Sequence, residues 1–339
     1  MRSGLILAVA IALTACASPE PLQPGASQPK ITRWDKALNA IVSPKAQIEK
    51  VAEGFTWSEG PVWVRPDGYL LFTDVPANTM YRFAPGQGVS VFMKPSGYSG
   101  PQLSELREPG ANGLAPDQPG SILVADSGNR VVARLDLESR TKTVLASTYD
   151  GRRFNSPNDI ARRSDGIIYF TDPPYGLRDL NASPVKELPI NGVYRLDADG
   201  NVTLIEDQLS FPNGVELSPD ERTLYVSNSD PRRPIWMAYT LDEKGAVVDK
   251  RVFNDASDLV KSGAPGLPDG MCMAADGHLF ATAPGGVVVF TPAGQRLGRI
   301  ETGTAIANCA FGDDGRSLYL TSDKFLARVR VLTIGQGFQ

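Results

Sequence analysis

Hydrophobic and polar positions alternate along most of this chain in runs of about four to eight residues, broken by Gly, Pro, Asp and Asn. A period of two, carried by β-branched and aromatic residues, predicts strands rather than helices. Gly192–Leu196 (GVYRL) is such a run, and MYRF, VVARL, WMAYTL, GVVVF and ARVRVL repeat its character elsewhere. The runs fall into six units. The openings read EGPVWVRPDGYLLFTD from Glu59, NGLAPDQPGSILVAD from Asn112, NDIARRSDGIIYFTD from Asn158, NGVELSPDERTLYVSN from Asn213, DGMCMAADGHLFATA from Asp269 and NCAFGDDGRSLYLTSD from Asn308. A repeat of roughly 40–55 residues made of short strands has the length of a propeller blade. The expected fold is therefore all-β: a six-bladed β-propeller of four-stranded blades.

In the third unit the expected strands are Asp159–Ala161, Ile167–Thr171, Gly192–Leu196 and Val202–Ile205. The sixth unit runs out after its third strand. The segment Ala46–Ala52 (AQIEKVA) is expected to supply its outer strand and to close the ring, which hides sheet edges. A short surface helix is expected over Ile31–Val42. The long connections Met93–Ala111 and Gly176–Asn191 are expected to overhang one face.

The N-terminus has a different pattern. Arg2 precedes an apolar run, Leu5–Leu13, and Leu13-Thr14-Ala15-Cys16 resembles a bacterial lipoprotein box. The run is too short to span a bilayer. Residues 1–15 are expected to be a lipoprotein signal peptide, and Cys16 to be lipidated. Residues 16–44 form a Pro-, Ser- and Gln-rich tether with a short N-terminal segment, and residues 45–339 the propeller. This arrangement predicts a protein anchored at the cell envelope and facing the periplasm, touching membrane only through its lipid.

The 339 residues carry a net charge of −4 and no basic stripe, which argues against nucleic acid. Beyond Cys16 only Cys272 and Cys309 remain. They sit on the opening strands of neighbouring units, where a disulfide is conceivable, but two small buried thiols are the expected state.

Equivalent positions in a propeller converge on its axis. The six openings thus present a ring: Glu59, Asn112, Asn158, Asn213, Asp269 and Asn308. Asn or Asp before Gly also forms turns, and for any one Asn-Gly that is the simpler reading. Six copies in register, two of them carboxylates, favour an oxygen site. Facing carboxylates repel unless a cation lies between them. Carboxylate and amide oxygens suit one hard divalent ion: Ca²⁺ first, with Mg²⁺, Mn²⁺ or Zn²⁺ as alternatives. The single histidine, His278, follows the Asp276-Gly277 turn at the far end of its strand, roughly 20 Å from Asp269. It is excluded as ligand or base, and a Ser-His-Asp triad is excluded with it. Chemistry at the ring is left to a carboxylate, a cation-activated water, or both.

Five segments carry a family resemblance: Gly54–Trp63 (GFTWSEGPVW), Arg153–Ile160 (RFNSPNDI), Phe170–Leu177 (FTDPPYGL), Pro212–Val215 (PNGV) and Pro268–Met271 (PDGM). In this order they resemble the gluconolactonase/regucalcin/luciferin-regenerating-enzyme-like family over about residues 45–333. The resemblance implies a six-bladed propeller. It implies metal ligation by Glu59, Asn213 and Asp269, with Asn158 as a metal or substrate ligand. It also implies Asp269 as general base and substrate contacts at Arg153 and, less directly, Asn112. The expected activity is hydrolysis of a small-molecule sugar lactone. The alternatives are hydrolysis of another ester, an organophosphate or non-sugar lactone, or a non-catalytic ligand-binding propeller with a structural ion.

Overall fold

The computed structural model describes residues 28–338 apart from Pro66. The signal-like residues 1–15, Cys16 and most of the tether lie outside the described residues. The rest forms six antiparallel blade sheets and a two-stranded ribbon, Thr148–Tyr149 with Arg152–Arg153; the first four blades are four strands in sequence order. Blade one is Ser58–Val64, Tyr69–Asp74, Thr79–Ala84 and Gly88–Met93. Blade two is Leu114–Pro116, Ser121–Asp126, Val131–Asp136 and Lys142–Ala146. Blade three is Ile160–Arg162, Ile168–Asp172, Gly192–Leu196 and Val202–Glu206. Blade four is Pro212–Leu217, Thr223–Asp230, Arg233–Leu241 and Val247–Asp255.

Blade five is Met271–Met273, Leu279–Ala283, Gly286–Phe290 and Arg296–Glu301. Lys30–Arg33 pairs outside its last strand, with Ile31 opposite Ile300. Blade six is Asn308–Gly312, Ser317–Ser322 and Phe325–Arg330, and Ile48–Glu53 pairs antiparallel with the last of these as its outer strand. The helix expected over Ile31–Val42 is corrected. Its first part is the Lys30–Arg33 strand, and only Lys36–Ala40 turns, as a 3₁₀ helix capped by the Asp35 side chain. Among the described residues, no helix is long and apolar enough to cross a membrane.

The core lies between blades, because the inner and middle strands bury both faces while outer strands such as Gly88–Met93 and Val247–Asp255 stay largely exposed. Trp63 of blade one stacks on Tyr319 of blade six at 5.7 Å. Trp236 of blade four meets Phe290 of blade five edge-on at 5.2 Å. Burying side chains of this size stabilises by about 1.5–3 kcal/mol each.

Two repeated devices set where the ring residues sit. First, the hydroxyl that closes a second strand reaches the next blade. Thr73 donates to Asn112 O at 3.1 Å, Thr171 to Asn213 O at 2.6 Å and Ser227 to Asp269 O at 2.8 Å. Second, the Asp or Asn that follows that hydroxyl holds the incoming loop by its amides. Asp74 accepts from Thr56 N at 2.7 Å, Asp172 from Asn155 N at 2.7 Å and Ser156 N at 2.8 Å, and Asn228 from Phe211 N at 2.9 Å. The Thr-Asp and Ser-Asn endings of the repeat are therefore brackets that fix Glu59, Asn158 and Asn213 from behind.

Candidate active site

The glycine after a ring residue allows adjacent inner strands to approach. A Cβ on Gly60, whose φ is +45°, would lie 2.1 Å from Asn112 O, and one on Gly214 would lie 2.3 Å from Asp269 O. These pairs thus serve close blade-to-blade contact, and Asn213-Gly214 lies inside a strand rather than in a turn.

Glu59, Asn112, Asn158, Asn213 and Asp269 all line one cavity of about 650 Å³ at the start of the inner strands. Its walls add Trp57, Val75, Arg107, Glu108, Tyr175 and Ile306. The first four ring residues are buried and Asp269 is half-buried. Glu59 is oriented by the Trp57 indole N–H at 3.4 Å and the Gly60 N–H at 3.1 Å. Asn213 donates its amide to Ser229 at 2.9 Å, which leaves its carbonyl oxygen for the cavity. Asn112 and Asn158 are buried and line the same cavity. Tyr175 stacks on Phe211 at 5.7 Å and forms part of the wall.

Electrostatically the cavity is short of positive charge. Burial raises the Asp269 carboxyl well above its ordinary value, and the nearby Glu59, Asp159 and Glu108 raise it further. Burial likewise raises Glu59, opposed by the Gly60 N–H and assisted by Asp159. Neither forms an ion pair among the described residues. Two desolvated carboxylates without a counter-charge must hold protons or share a cation. The donor set is oxygen throughout, and it depends on amides: among the described residues no three His, Cys, Asp or Glu side chains gather as a cluster that could hold a metal. Two carboxylates and two or three amide oxygens around one space fit a hard divalent cation.

Two expected members lie elsewhere. Asn308 does not face this cavity. It lines a second one further along the inner strands, beside Asp159 and Glu216. The reason is steric: its side chain occupies the space left by Gly270, whose Cβ would lie 2.0 Å from Asn308 Cγ. Arg153 is exposed, donates to Asn129 O at 3.2 Å and is outside the lining of the cavity. His278 sits at its turn, 2.9 Å from Asp276, away from both cavities. The two thiols expected at Cys272 and Cys309 are joined instead: their strands are neighbours, the Cα atoms lie 5.7 Å apart, and the residues form a disulfide.

A family model described as SMP-30/Gluconolactonase/LRE-like region matches residues 57–324. The chain belongs to that family. It is 45% identical over 315 residues to a gluconolactonase of Zymomonas mobilis, covering 92% of this chain and 88% of the relative. It is 27% identical over 268 residues to a pentonolactonase of Haloferax volcanii, covering 78% of this chain and 80% of that one. Among solved structures, a gluconolactonase of Xanthomonas campestris superposes with a TM-score of 0.76 at 30% identity, covering 93% of this chain and 99% of that one. The match covers five blades and the first two strands of the sixth, and the five ring residues of the cavity fall within it.

Proposed function

We propose that this family member is a lactone hydrolase acting on a sugar lactone of the aldonolactone class, with one divalent cation at the axial cavity. The reading is carried by the convergence of Glu59, Asn158, Asn213 and Asp269 on one space, with Asn112 beside them. The names of its gluconolactonase and pentonolactonase relatives support the substrate class.

A bound divalent cation supplies Lewis acidity toward the lactone carbonyl and eases deprotonation of water. The protein does the rest. Glu59, Asn158 and Asn213 are fixed by Trp57, by the Asp172 bracket and by Ser229, so their oxygens are preorganised. Asp269 is the proposed general base: its carboxylate takes the proton as water attacks the ester carbon. Desolvation and the neighbouring Glu59 raise its carboxyl, which favours proton uptake. Asn112 lies on the same wall and is assigned to the substrate. The apolar wall of Val75, Tyr175 and Ile306 limits water around the reacting ester.

The Cys272–Cys309 disulfide supports an oxidising compartment, in keeping with the proposed anchoring of Cys16 at the envelope. The functional test is hydrolysis of glucono-δ-lactone by chelator-stripped protein, reloaded singly with Ca²⁺, Mg²⁺, Mn²⁺ or Zn²⁺. Acid release is expected only after reloading. Full activity in the stripped protein would overturn the cation's role, and no hydrolysis of any lactone under any ion would overturn the lactonase reading.

A further inference from the structure

We propose that Glu108, with Arg107 beside it, is a specificity-determining pair that reads the hydroxyl groups of a polyhydroxylated lactone; this rests on the lactonase reading above. Neither residue belongs to a repeat opening. Both come from the long connection between blades one and two.

That connection is tied down at the point where it reaches the cavity. Arg107 N and Glu108 N donate to Gly176 O at 2.9 and 3.3 Å, Tyr98 N to Pro109 O at 2.8 Å and Gly110 N to Val75 O at 3.0 Å. A bridge between Leu106 and Leu177 adds a further tie to the opposite connection. Glu108 is therefore held in place before substrate arrives.

The Glu108 side chain is only 14% exposed. Among the described residues its carboxylate has one partner, Arg107 Nη2 at 3.1 Å, whose side chain is half exposed. Both residues line the same cavity as the ring. Burial pushes the Glu108 carboxyl up to about 7, against the pull of Arg107. A third carboxylate near Glu59 and Asp269 adds repulsion there, so stability of the empty cavity does not account for it. A sugar hydroxyl does. It donates to a carboxylate and accepts from a guanidinium, so a fixed Glu–Arg pair offers both halves of its hydrogen bonding. A lactone without hydroxyls offers nothing to the pair and loses little when it is removed.

The test compares wild type, Glu108→Ala, Glu108→Gln and Arg107→Ala, each full-length, cation-loaded and matched for melting temperature. Kinetics are read on glucono-δ-lactone and on δ-valerolactone, and Ca²⁺ affinity by calorimetry. For Glu108→Ala we expect KM for the sugar lactone to rise about 10- to 100-fold, the range for a lost charged hydrogen bond. Its kcat, its kcat/KM on δ-valerolactone and its Ca²⁺ affinity should stay within about threefold. Glu108→Gln should recover part of the loss, and Arg107→Ala should raise KM on the sugar lactone alone. Equal losses on both lactones, an unchanged KM, or a tenfold or larger loss of Ca²⁺ affinity (about 1.4 kcal/mol) would overturn the assignment. The wild-type arm separates the two failures: inactivity there on both lactones would strike at the lactonase reading itself.

Discussion

Carboxylates lie buried or half-buried at both ends of the axis, and the two ends treat them differently. At the first cavity, Glu59 and Asp269 share one space with Asn158, Asn112 and Asn213. At the second, Asp159 accepts from Ile160 N at 3.0 Å and Val215 N at 3.1 Å, and Glu216 accepts from Leu217 N at 2.8 Å. That end is also stapled by the Cys272–Cys309 disulfide and crossed by the C-terminal segment, where Gln336 N donates to Met273 O at 2.9 Å. Burial raises the carboxyls at both ends, Asp159 to about 7 and Glu216 to about 8. A raised carboxyl therefore does not mark the reacting end. What distinguishes the first end is the convergence of carboxylate and amide side chains on one cavity that, among the described residues, no disulfide or C-terminal segment covers.

The largest expected effect separates the ends by activity. Asp269→Asn should lower kcat on a lactone by about 10²–10⁴-fold, the span of a general base, while the protein stays folded. Asp159→Asn should instead cost about 1–3 kcal/mol of stability by turning an acceptor into a donor against a backbone N–H. Steady-state kinetics and a denaturant melt on both variants check this. A larger kcat loss for Asp159→Asn than for Asp269→Asn would reverse the comparison.

The second end should dominate covalent stabilisation. Replacing Cys272 and Cys309 by Ser removes a link across a sequence separation of 37 and should cost about 2–4 kcal/mol. Chemical denaturation measures the loss, and a change below about 0.5 kcal/mol would be inconsistent with the staple.

Glu216 gives a smaller, signed pH effect. Its folded carboxyl titrates near 8 against an ordinary 4.5. The native state thus keeps a proton that the unfolded chain has released. Its contribution is full below about pH 4.5 and is lost as pH rises toward 8. The melting temperature of chelator-stripped protein should therefore fall between pH 5 and pH 9, and Glu216→Gln should flatten that slope. A slope unchanged by the substitution would contradict the burial argument.

The smallest effects are expected away from both ends. Arg153→Ala and His278→Ala should each leave kcat/KM within about threefold. A large loss at Arg153 would mean that it swings into the cavity when substrate binds.

Much of this was readable from the chain. The six openings located the inner strands because each repeats the same backbone task. The ring residues Glu59, Asn112, Asn158, Asn213 and Asp269 follow from that register. Asn308 departed because its direction is set by the missing Cβ of Gly270 in the neighbouring blade, which its own motif does not contain. The disulfide needed a Cα separation that two isolated Cys positions do not specify. Lys30–Arg33 is a four-residue run whose partner, Arg296–Glu301, lies at the other end of the chain, so local periodicity could not decide it. Glu108 lay in a connection without repeat or period, and only its placement over the cavity reveals it.

We propose that the first cavity holds one divalent cation on the ring oxygens. Calorimetric titration of chelator-stripped protein with Ca²⁺ tests it most directly, comparing wild type with Glu59→Gln/Asp269→Asn and with Asp159→Asn. One site per chain is expected in wild type and in Asp159→Asn, and no measurable binding in the double variant. Equal binding by wild type and the double variant, or loss of binding in Asp159→Asn alone, would contradict it.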